Sequence, residues 1–342
     1  MVGKKRNGEG ERMLEKARWG IAGLGKIARR FAIDLTQHSQ CGELVAVAAR
    51  DEARASKFAE EFECSRSYGS YQALADDADV DVVYIATLHP YHRDLVELFL
   101  NAGKHVLVEK PAFTNVKDWD EMAALAIRHG VILAEAMKSV VFPAYQELKQ
   151  FIANNNIKLT SVQAAFGNWH EYDENYQIFN AQQAGGATLD VGVYALWLYA
   201  DLCTLCGVTI GKPDVVFSQD NPQAKVDETA EFHFKSDLQG QLAASITRNL
   251  VRSAVIQGED FEATIAEKWW NPKSIQVVYR GETVLIAPQT IGTGFEHEID
   301  HLSGLILRGA KASSILKHET SRAVIEVMEQ SLIAGGLGYL SE

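Results

Sequence analysis

"RWGIAGLGKIARRF", residues 18–31, joins an apolar run to an amphipathic one through Gly23, Gly25 and Ala28. The spacing is G-x-G-x-x-A, placed where a buried strand would hand over to a helix. The first Gly permits a tight turn, and the second lets a pyrophosphate approach the backbone at the helix N-terminus. The small Ala28 allows close helix–strand packing. Alone the spacing is weak, because glycine in a turn is commonplace; the following hundred or so residues decide it. Strand-like "ELVAVAA" (43–49), "VDVVYIAT" (80–87), "HVLVEK" (105–110) and "VILAEAM" (131–137) alternate with helix-like "ARASKFAEEF" (53–62), "HRDLVELFLNAG" (92–103) and "NVKDWDEMAALAIRHG" (115–130). Continuous apolar strands between amphipathic helices predict a mostly parallel sheet covered on both faces. Residues 18–137 therefore read as an α/β, doubly wound Rossmann domain that binds a dinucleotide, with Leu24, Lys26 and Ile27 completing the glycine turn around the cofactor.

The second strand bears on which dinucleotide. An NAD site usually carries an acidic residue at this strand's end for the ribose 2′-hydroxyl. Here Ala49 and Arg50 occupy that end and Asp51 lies one residue beyond. A small residue followed by a guanidinium suits a 2′-phosphate, so NADP(H) is favoured over NAD(H). Asp51 keeps the ribose role open through a slight shift of register.

Beyond Met137 the rhythm changes. "PAYQELKQFIANN" (143–155) and "ATLDVGVYALWLYADLC" (187–203) read as helices, with "LTSVQAAFG" (159–167) as a strand. "AEFHFK" (230–235) alternates Ala230, Phe232 and Phe234 with Glu231, His233 and Lys235; "QLAASIT", "SAVIQGE", "SIQVVY" and "TVLIA" follow. Such alternation predicts a large, mostly antiparallel open sheet. Helices return near 296–309 and 319–334. Residues 138–342 are thus expected to form an α+β substrate-binding and oligomerisation domain, with the substrate in the crevice between the two.

Composition excludes several classes. The chain has 342 residues and a net charge of −12, with no stretch that concentrates its 33 Lys and Arg. That argues against nucleic acid as the principal partner. No run reaches the roughly 18 apolar residues of a membrane span. The start, "MVGKKRNGEGERMLEKAR", lacks an apolar core for a secretory signal, and residues 1–17 read as a disordered extension. Four cysteines suggest a reducing compartment, so a cytoplasmic location is expected, with the C-x-x-C of Cys203 and Cys206 read as a buried helix end before a redox motif.

Candidate chemistry sits at strand ends, where ligands bind in this architecture. Lys110 follows an apolar strand and precedes Pro111; Thr87, His89 and His92 follow another. Asp190 and Tyr194, four apart in "GGATLDVGVY" (185–194), share a face if that segment is helical. Taken in order, "GIAGLGKIA", "VYIATLHPYH", "HVLVEKP", "AEAM" and "GGATLDVGVY" resemble the Gfo/Idh/MocA oxidoreductase family over nearly the whole chain from residue 18. The resemblance implies a nicotinamide cofactor on the Rossmann domain and a second-domain sheet that packs subunits together, with a homodimer as first choice. It further implies that Lys110 lies beside the nicotinamide and the substrate hydroxyl, and that Asp190 and Tyr194 contact substrate. Tyr at 194, where many members have His, resembles the branch containing glucose-fructose oxidoreductase and dimeric dihydrodiol dehydrogenase, whose members favour NADP.

The expected activity is hydride transfer at a hydroxyl or carbonyl carbon of a sugar, polyol or cyclic diol. Tyr194 would move the proton as its phenolate is favoured by the Lys110 ammonium, and Asp190 would orient a hydroxyl or the lysine. Glu109 would contact the nicotinamide ribose, and His92 would border the cofactor. Trp169, with Tyr172 and Tyr176, would supply stacking to the substrate or else pack at the domain junction. Two other classes compete. One is a non-catalytic NAD(P)-binding sensor, since fold does not fix function. The other rests on "HEIDH", His297 to His301, which matches the H-E-x-x-H zinc pattern with Glu319 at a spacing for a third ligand. The five-residue pattern is far less specific than the ordered set above, so no metal is expected, and His297 or His301 is instead a candidate to touch substrate or a neighbouring subunit.

Overall fold

The computed structural model describes residues 16–338. The extension expected before residue 18 lies almost wholly outside the described residues. From residue 17 the chain alternates strand and helix: β1 (Ala17–Ala22), α1 (Lys26–Gln37), β2 (Gly42–Ala48), α2 (Glu52–Glu61), β3 (Arg66–Tyr68), α3 (Tyr71–Ala75), β4 (Val82–Ile85), α4 (His92–Asn101), β5 (His105–Glu109), α5 (Val116–His129) and β6 (Leu133–Ala136). The strands pair in the order β3-β2-β1-β4-β5-β6, and every pairing is parallel. All four residues of β4 are buried, as are those of β6, which is what helices on both faces require of their strands. The strand order reverses between β1 and β4, so the loops after those two strands open the crevice in which an open α/β sheet binds its ligand.

Two short helices, α6 (Lys138–Val141) and α7 (Pro143–Asn154), lead to β7 (Leu159–Gly167) and then α8 (Val193–Cys206). The remaining strands are β8 (Asp214–Ser218), β9 (Thr229–Lys235), β10 (Gln239–Ser245), β11 (Ala254–Gly258), β12 (Phe261–Ile265), β13 (Ile275–Tyr279) and β14 (Glu282–Ile286). With β7 they form one eight-stranded sheet, ordered β14-β13-β12-β11-β7-β10-β9-β8. Only β7 and β10 run parallel in it; the other pairings are antiparallel. Its inner face carries Val162, Ala164, Phe232, Leu242 and Ile256, all buried, while Gln163, Glu231 and Gln241 alternate outward.

α8 covers the inner face and is apolar nearly all round, with ten of its residues buried. The run 181–206 that includes it is long and apolar enough to cross a membrane by length and composition, but 72% of its most apolar window is buried inside the protein. It is a core helix.

The tail helices α9 (Phe295–Leu307) and α10 (His318–Ala334) do not stay with the second sheet. α9 lies on α1, β1 and β2, and α10 packs on both α8 and α5. Polar contacts fix α9: Trp19 Nε1 donates to Ser303 Oγ at 2.9 Å, and Asp300 accepts from Ser39 Oγ at 2.6 Å and from the Cys41 amide at 2.9 Å. Buried Asp34 of α1 accepts from the Thr293 and Phe295 amides, each at 3.0 Å. The start of α9 is thereby bolted to the second half of α1. Gly294 makes that junction possible, with φ of +108° and a position where a Cβ would lie 2.2 Å from Phe142 Cζ.

Candidate active site

β1 delivers the chain to Gly23, whose φ is +89° and where a Cβ would come within 2.6 Å of Thr87 Cγ2. Gly25 then starts α1 without any side-chain cap, and nothing lies within 4 Å of the place its Cβ would take. The first amides of α1 therefore face an open cradle at the positive end of a helix, a geometry that fits a pyrophosphate. Leu24 and Ala28 are buried beneath the turn, Lys26 is exposed beside it, and Ile27 and Arg30 face the cavity described next. At the end of β2, Asp51 is occupied as the cap of α2, accepting from the Arg54 amide at 2.9 Å. Arg54 turns back to donate to the Leu24 carbonyl at 2.7 Å. Arg50 is exposed, 5.2 Å from the Tyr91 ring centre, and pairs with no carboxylate among the described residues. The charge available at this strand end is thus the guanidinium.

A cavity of about 590 Å³ opens between the two sheets. From the first sheet's loops it is lined by Thr87, His89, Glu109 and Lys110, and from the second half by Asp190, Tyr194 and Trp270. Sequence positions 110 and 190 meet there. The Lys110 ammonium donates to the Asp190 backbone carbonyl and lies 3.3 Å from Asp190 Oδ1. It also sits 5.1 Å from the centre of the Tyr194 ring, over its face. A five-residue π-helical turn, Thr188–Gly192, precedes α8 and includes the amide of Val193 bonding back to the Thr188 carbonyl. Asp190 lies within this turn, so its carbonyl is directed at a lysine from the other half of the chain.

Charge in this trio is set by competition. Burial alone would lower the Lys110 pKa; Asp190, with Tyr194 and Glu109, more than reverses that, so the amine stays an ammonium. For Tyr194 burial is the largest influence and wins: the phenol is pushed up to about 12 even though Lys110 pulls it down. The lysine does not hold a phenolate at neutral pH. Tyr194 rests as a proton donor.

The neighbouring groups divide into cavity wall and support. The imidazole of His89 is on the wall, and its Nδ1 must donate to the Ala184 carbonyl at 3.0 Å, leaving Nε2 as an acceptor. Burial, then His92 and Lys110, drive its pKa down to about 3, so the ring is neutral. His92 is fully buried behind the wall, with Nδ1 3.0 Å from the Ala112 carbonyl and Nε2 3.2 Å from that of Thr87. It ties the turn after β4 to the turn after β5, which contains the cis Lys110–Pro111 peptide. Glu109 accepts a short hydrogen bond from the Tyr84 hydroxyl and another from the Lys110 amide at 3.2 Å. Its carboxyl is raised by burial, against the pull of Tyr84 and Lys110.

Trp169 lies outside the cavity lining and is 61% exposed. Tyr172 and Tyr176 pack near Phe179, with ring centres 5.2 and 6.3 Å away, and the next residues, Gln177 and Ile178, reach the cavity instead. The H-E-x-x-H residues diverge. Glu298 is completely buried and neither carboxylate oxygen has a hydrogen-bond partner among the described residues. His301 Nε2 is engaged by Ser313 Oγ at 2.8 Å, and the His297 ring packs 5.0 Å from that of Phe142. Neither histidine lines the cavity, and no group of three His, Cys, Asp or Glu side chains able to hold a metal occurs among the described residues. Cys203 and Cys206 are both free, and burial pushes the Cys203 thiol up to about 11, the reverse of a reactive C-x-x-C.

Sequence reasoning missed Lys138, Phe295 and the 268–273 loop as cavity walls. Lys138 Nζ lies 4.3 Å from the Phe295 ring centre and donates to the Thr293 carbonyl at 3.2 Å. Burial, then Arg30, lowers its pKa to about 8. No local spacing announces these residues, because each reaches the cavity only through packing of the two halves.

Residues 17–137 match a family described as "Oxidoreductase family, NAD-binding Rossmann fold", Gfo/Idh/MocA. Over its length the chain is 33% identical to the mouse trans-1,2-dihydrobenzene-1,2-diol dehydrogenase, covering 94% of this chain and 98% of that protein. The fold matches aldose-aldose oxidoreductase from Caulobacter crescentus, with a TM-score of 0.83, 23% identity and coverage of 95% and 98%. It also matches a 3-ketoreductase from Actinomadura kijaniata bound to NADP and TDP-benzene, with a TM-score of 0.79, 21% identity and coverage of 94% and 98%.

Proposed function

The chain belongs to the Gfo/Idh/MocA oxidoreductase family, and from that premise we propose that it is an NAD(P)-dependent dehydrogenase or reductase acting on the CH–OH or carbonyl carbon of a sugar, polyol or cyclic diol. The observation that carries the reading is the union of Lys110, Asp190 and Tyr194 on one cavity, which reaches the glycine loop through Ile27. Residues 18–137 hold the cofactor in this reading, and residues 138–342 hold the substrate and the contact between subunits of a dimer. The open cradle at Gly25 would receive the pyrophosphate, and Arg50 the 2′-phosphate of NADP(H). The solved ketoreductase carries NADP, in agreement with that preference. Four free cysteines accord with a cytoplasmic location.

When bound, the nicotinamide supplies or accepts the hydride. The chain's own residues then handle the oxygen. Lys110 presents its ammonium to the substrate oxygen and stabilises negative charge as it develops there. Tyr194 gives a proton to that oxygen in reduction and recovers it in oxidation. Asp190 fixes the lysine through both its carbonyl and its carboxylate, and also offers the carboxylate to a neighbouring hydroxyl. His89 presents Nε2 as a hydrogen-bond acceptor, suited to a second hydroxyl. Glu109, on the cavity wall, would hold the cofactor's ribose.

The test is to titrate NADP(H) and NAD(H) by tryptophan fluorescence, then follow nicotinamide absorbance with a panel of sugars and diols under the preferred cofactor. Turnover of a vicinal diol or sugar is the expected result. Tight cofactor binding with no turnover anywhere on the panel would favour a sensor and overturn the enzyme reading.

A further inference from the structure

The cavity carries charge that hydride transfer does not use. The chain's net charge is −12, yet the cavity's Lys, Arg, Asp and Glu lining is Arg30, Lys110, Lys138, Lys268 and Lys273 against Glu109 and Asp190. Lys110 is bound to Asp190, and Lys138 is held by Phe295 and Thr293. Among the described residues Arg30, on α1 in the first half, has only the Phe295 ring, 5.6 Å from its centre. The Lys268 and Lys273 side chains have no contact of either kind there. Both lie on the connection between β12 and β13, on the second-half wall, and neither side chain has a hydrogen bond or ion pair among the described residues.

The loop that presents them is anchored from beneath. Trp269 is buried and donates from Nε1 to the Ala165 carbonyl at 2.7 Å, and Trp270 stacks on Phe166 with ring centres 3.5 Å apart. The Asn271 amide bonds the Lys268 carbonyl at 2.7 Å, closing a turn in which Lys268 adopts a φ of +65°. Asn271 also leaves its side-chain oxygen buried without a partner, and Asn271 is itself part of the cavity wall. Two unneutralised ammoniums on one short, anchored loop raise the local potential of a concave site, which concentrates anions there.

We propose that Lys268 and Lys273 form an anion subsite on the substrate side of the cavity, so that the preferred substrate is a hydroxyl or keto compound carrying a carboxylate or a phosphate. The proposal rests on the oxidoreductase reading for the reacting carbon; the anion itself is bound and unchanged. Lys110, Asp190 and Tyr194 act at one end of the molecule while the two lysines hold the other.

The test uses glucose, glucuronate and glucose 6-phosphate with the NADP-saturated protein, comparing wild type with the Lys268→Gln/Lys273→Gln double variant. Calorimetric binding comes first. Wild type should bind glucuronate or glucose 6-phosphate at least about tenfold more tightly than glucose, and the double variant should lose that preference. Which of the two acids binds identifies the anion. The preference should also weaken as sodium chloride is raised from about 0.05 to 0.5 M. Failure of both acids to bind better than glucose overturns the subsite. A rise in the NADPH dissociation constant of the double variant by the same factor also overturns it, because the lysines would then serve the cofactor's phosphates. Turnover is a separate measurement: selective acid binding with no turnover of the three, nor of any member of the sugar and diol panel, leaves the subsite standing and refutes the oxidoreductase reading instead.

Discussion

Tyr194→Phe removes one oxygen and little else. The ring keeps its place 5.7 Å from that of Phe166 and under the Lys110 ammonium at 5.1 Å, so neither packing nor the cation's seat depends on the hydroxyl. What is lost is a proton donor. With the phenol pushed up to about 12, it is ionised in roughly one molecule in 100,000 at pH 7. The reduction rate of the wild type should therefore show no loss of this acid between about pH 6 and 9, while oxidation should accelerate as pH rises. A positioned acid is worth roughly 100- to 10,000-fold, or about 3–5 kcal/mol of barrier. Turnover of Tyr194→Phe in the carbonyl-reducing direction should fall by that factor, with NADPH affinity within about twofold of wild type. The assay is steady-state NADPH oxidation against a reducible member of the panel, paired with fluorescence titration of the cofactor. A variant within about threefold of wild-type turnover across pH 6–9 would refute the assignment, whatever its cofactor affinity.

Arg50→Ala should weaken NADP(H) binding roughly 10- to 100-fold, the worth of a charge-assisted contact, and leave NAD(H) nearly unchanged; equal losses for both cofactors by titration would place the 2′-phosphate elsewhere. Glu298 is a buried carboxyl raised well above its ordinary range, by burial and then by Glu109, so the folded chain holds a proton that the unfolded chain releases above about pH 4.3. Its contribution to stability therefore falls as pH climbs from there, and Glu298→Gln should gain progressively on wild type as pH rises from about 5 to 8 in urea melts; parallel pH curves would refute this. Gly294→Ala must place a methyl against Phe142 at a positive φ, and should cost about 2–5 kcal/mol in the same melts; a loss below about 0.5 kcal/mol would show that the α9 junction relaxes freely.

Much of the first sheet was legible because its central strands are largely buried and its helices amphipathic, two signals that do not need the tertiary structure. Four elements escaped. β3, at three residues, and α3, at five, are too short to show a period, and β8 alternates with only partial burial at a sheet edge. β12 escaped although Phe261, Ala263 and Ile265 alternate with Glu262 and Thr264, because five residues set between the charges at 259–260 and 267–268 make too short a run to stand out. The candidate site was readable where a residue ends a strand, as Lys110 does, and where a glycine pair leads into an apolar helix, as before Asp190 and Tyr194. It was not readable where a loop from elsewhere closes the wall. Lys138 and Phe295 are 157 positions apart yet in contact, and Trp169, exposed aromatic bait in a polar loop, stands aside while Gln177 takes the wall. The Lys110–Tyr194 pair also shows where electrostatic intuition from sequence fails: proximity of the cation is real, but the burial that accompanies it has the larger effect on the phenol.

The π-helical turn at Thr188–Gly192 is the wide opening turn of the helix that continues as α8, and it holds one residue more than an α-helical turn would. Each residue of an α-helix advances the side-chain direction by about 100°, so a one-residue insertion resets the phase of everything downstream. Asp190 lies inside this turn and Tyr194 just after it. Their spacing of four in the sequence therefore does not carry the angular relation it would have on an ordinary helix. Removing one residue from this turn would leave every chemical group of the site present and rotate the tyrosine out of step with the lysine's acceptor. The site is tuned by a count of residues as much as by their identity.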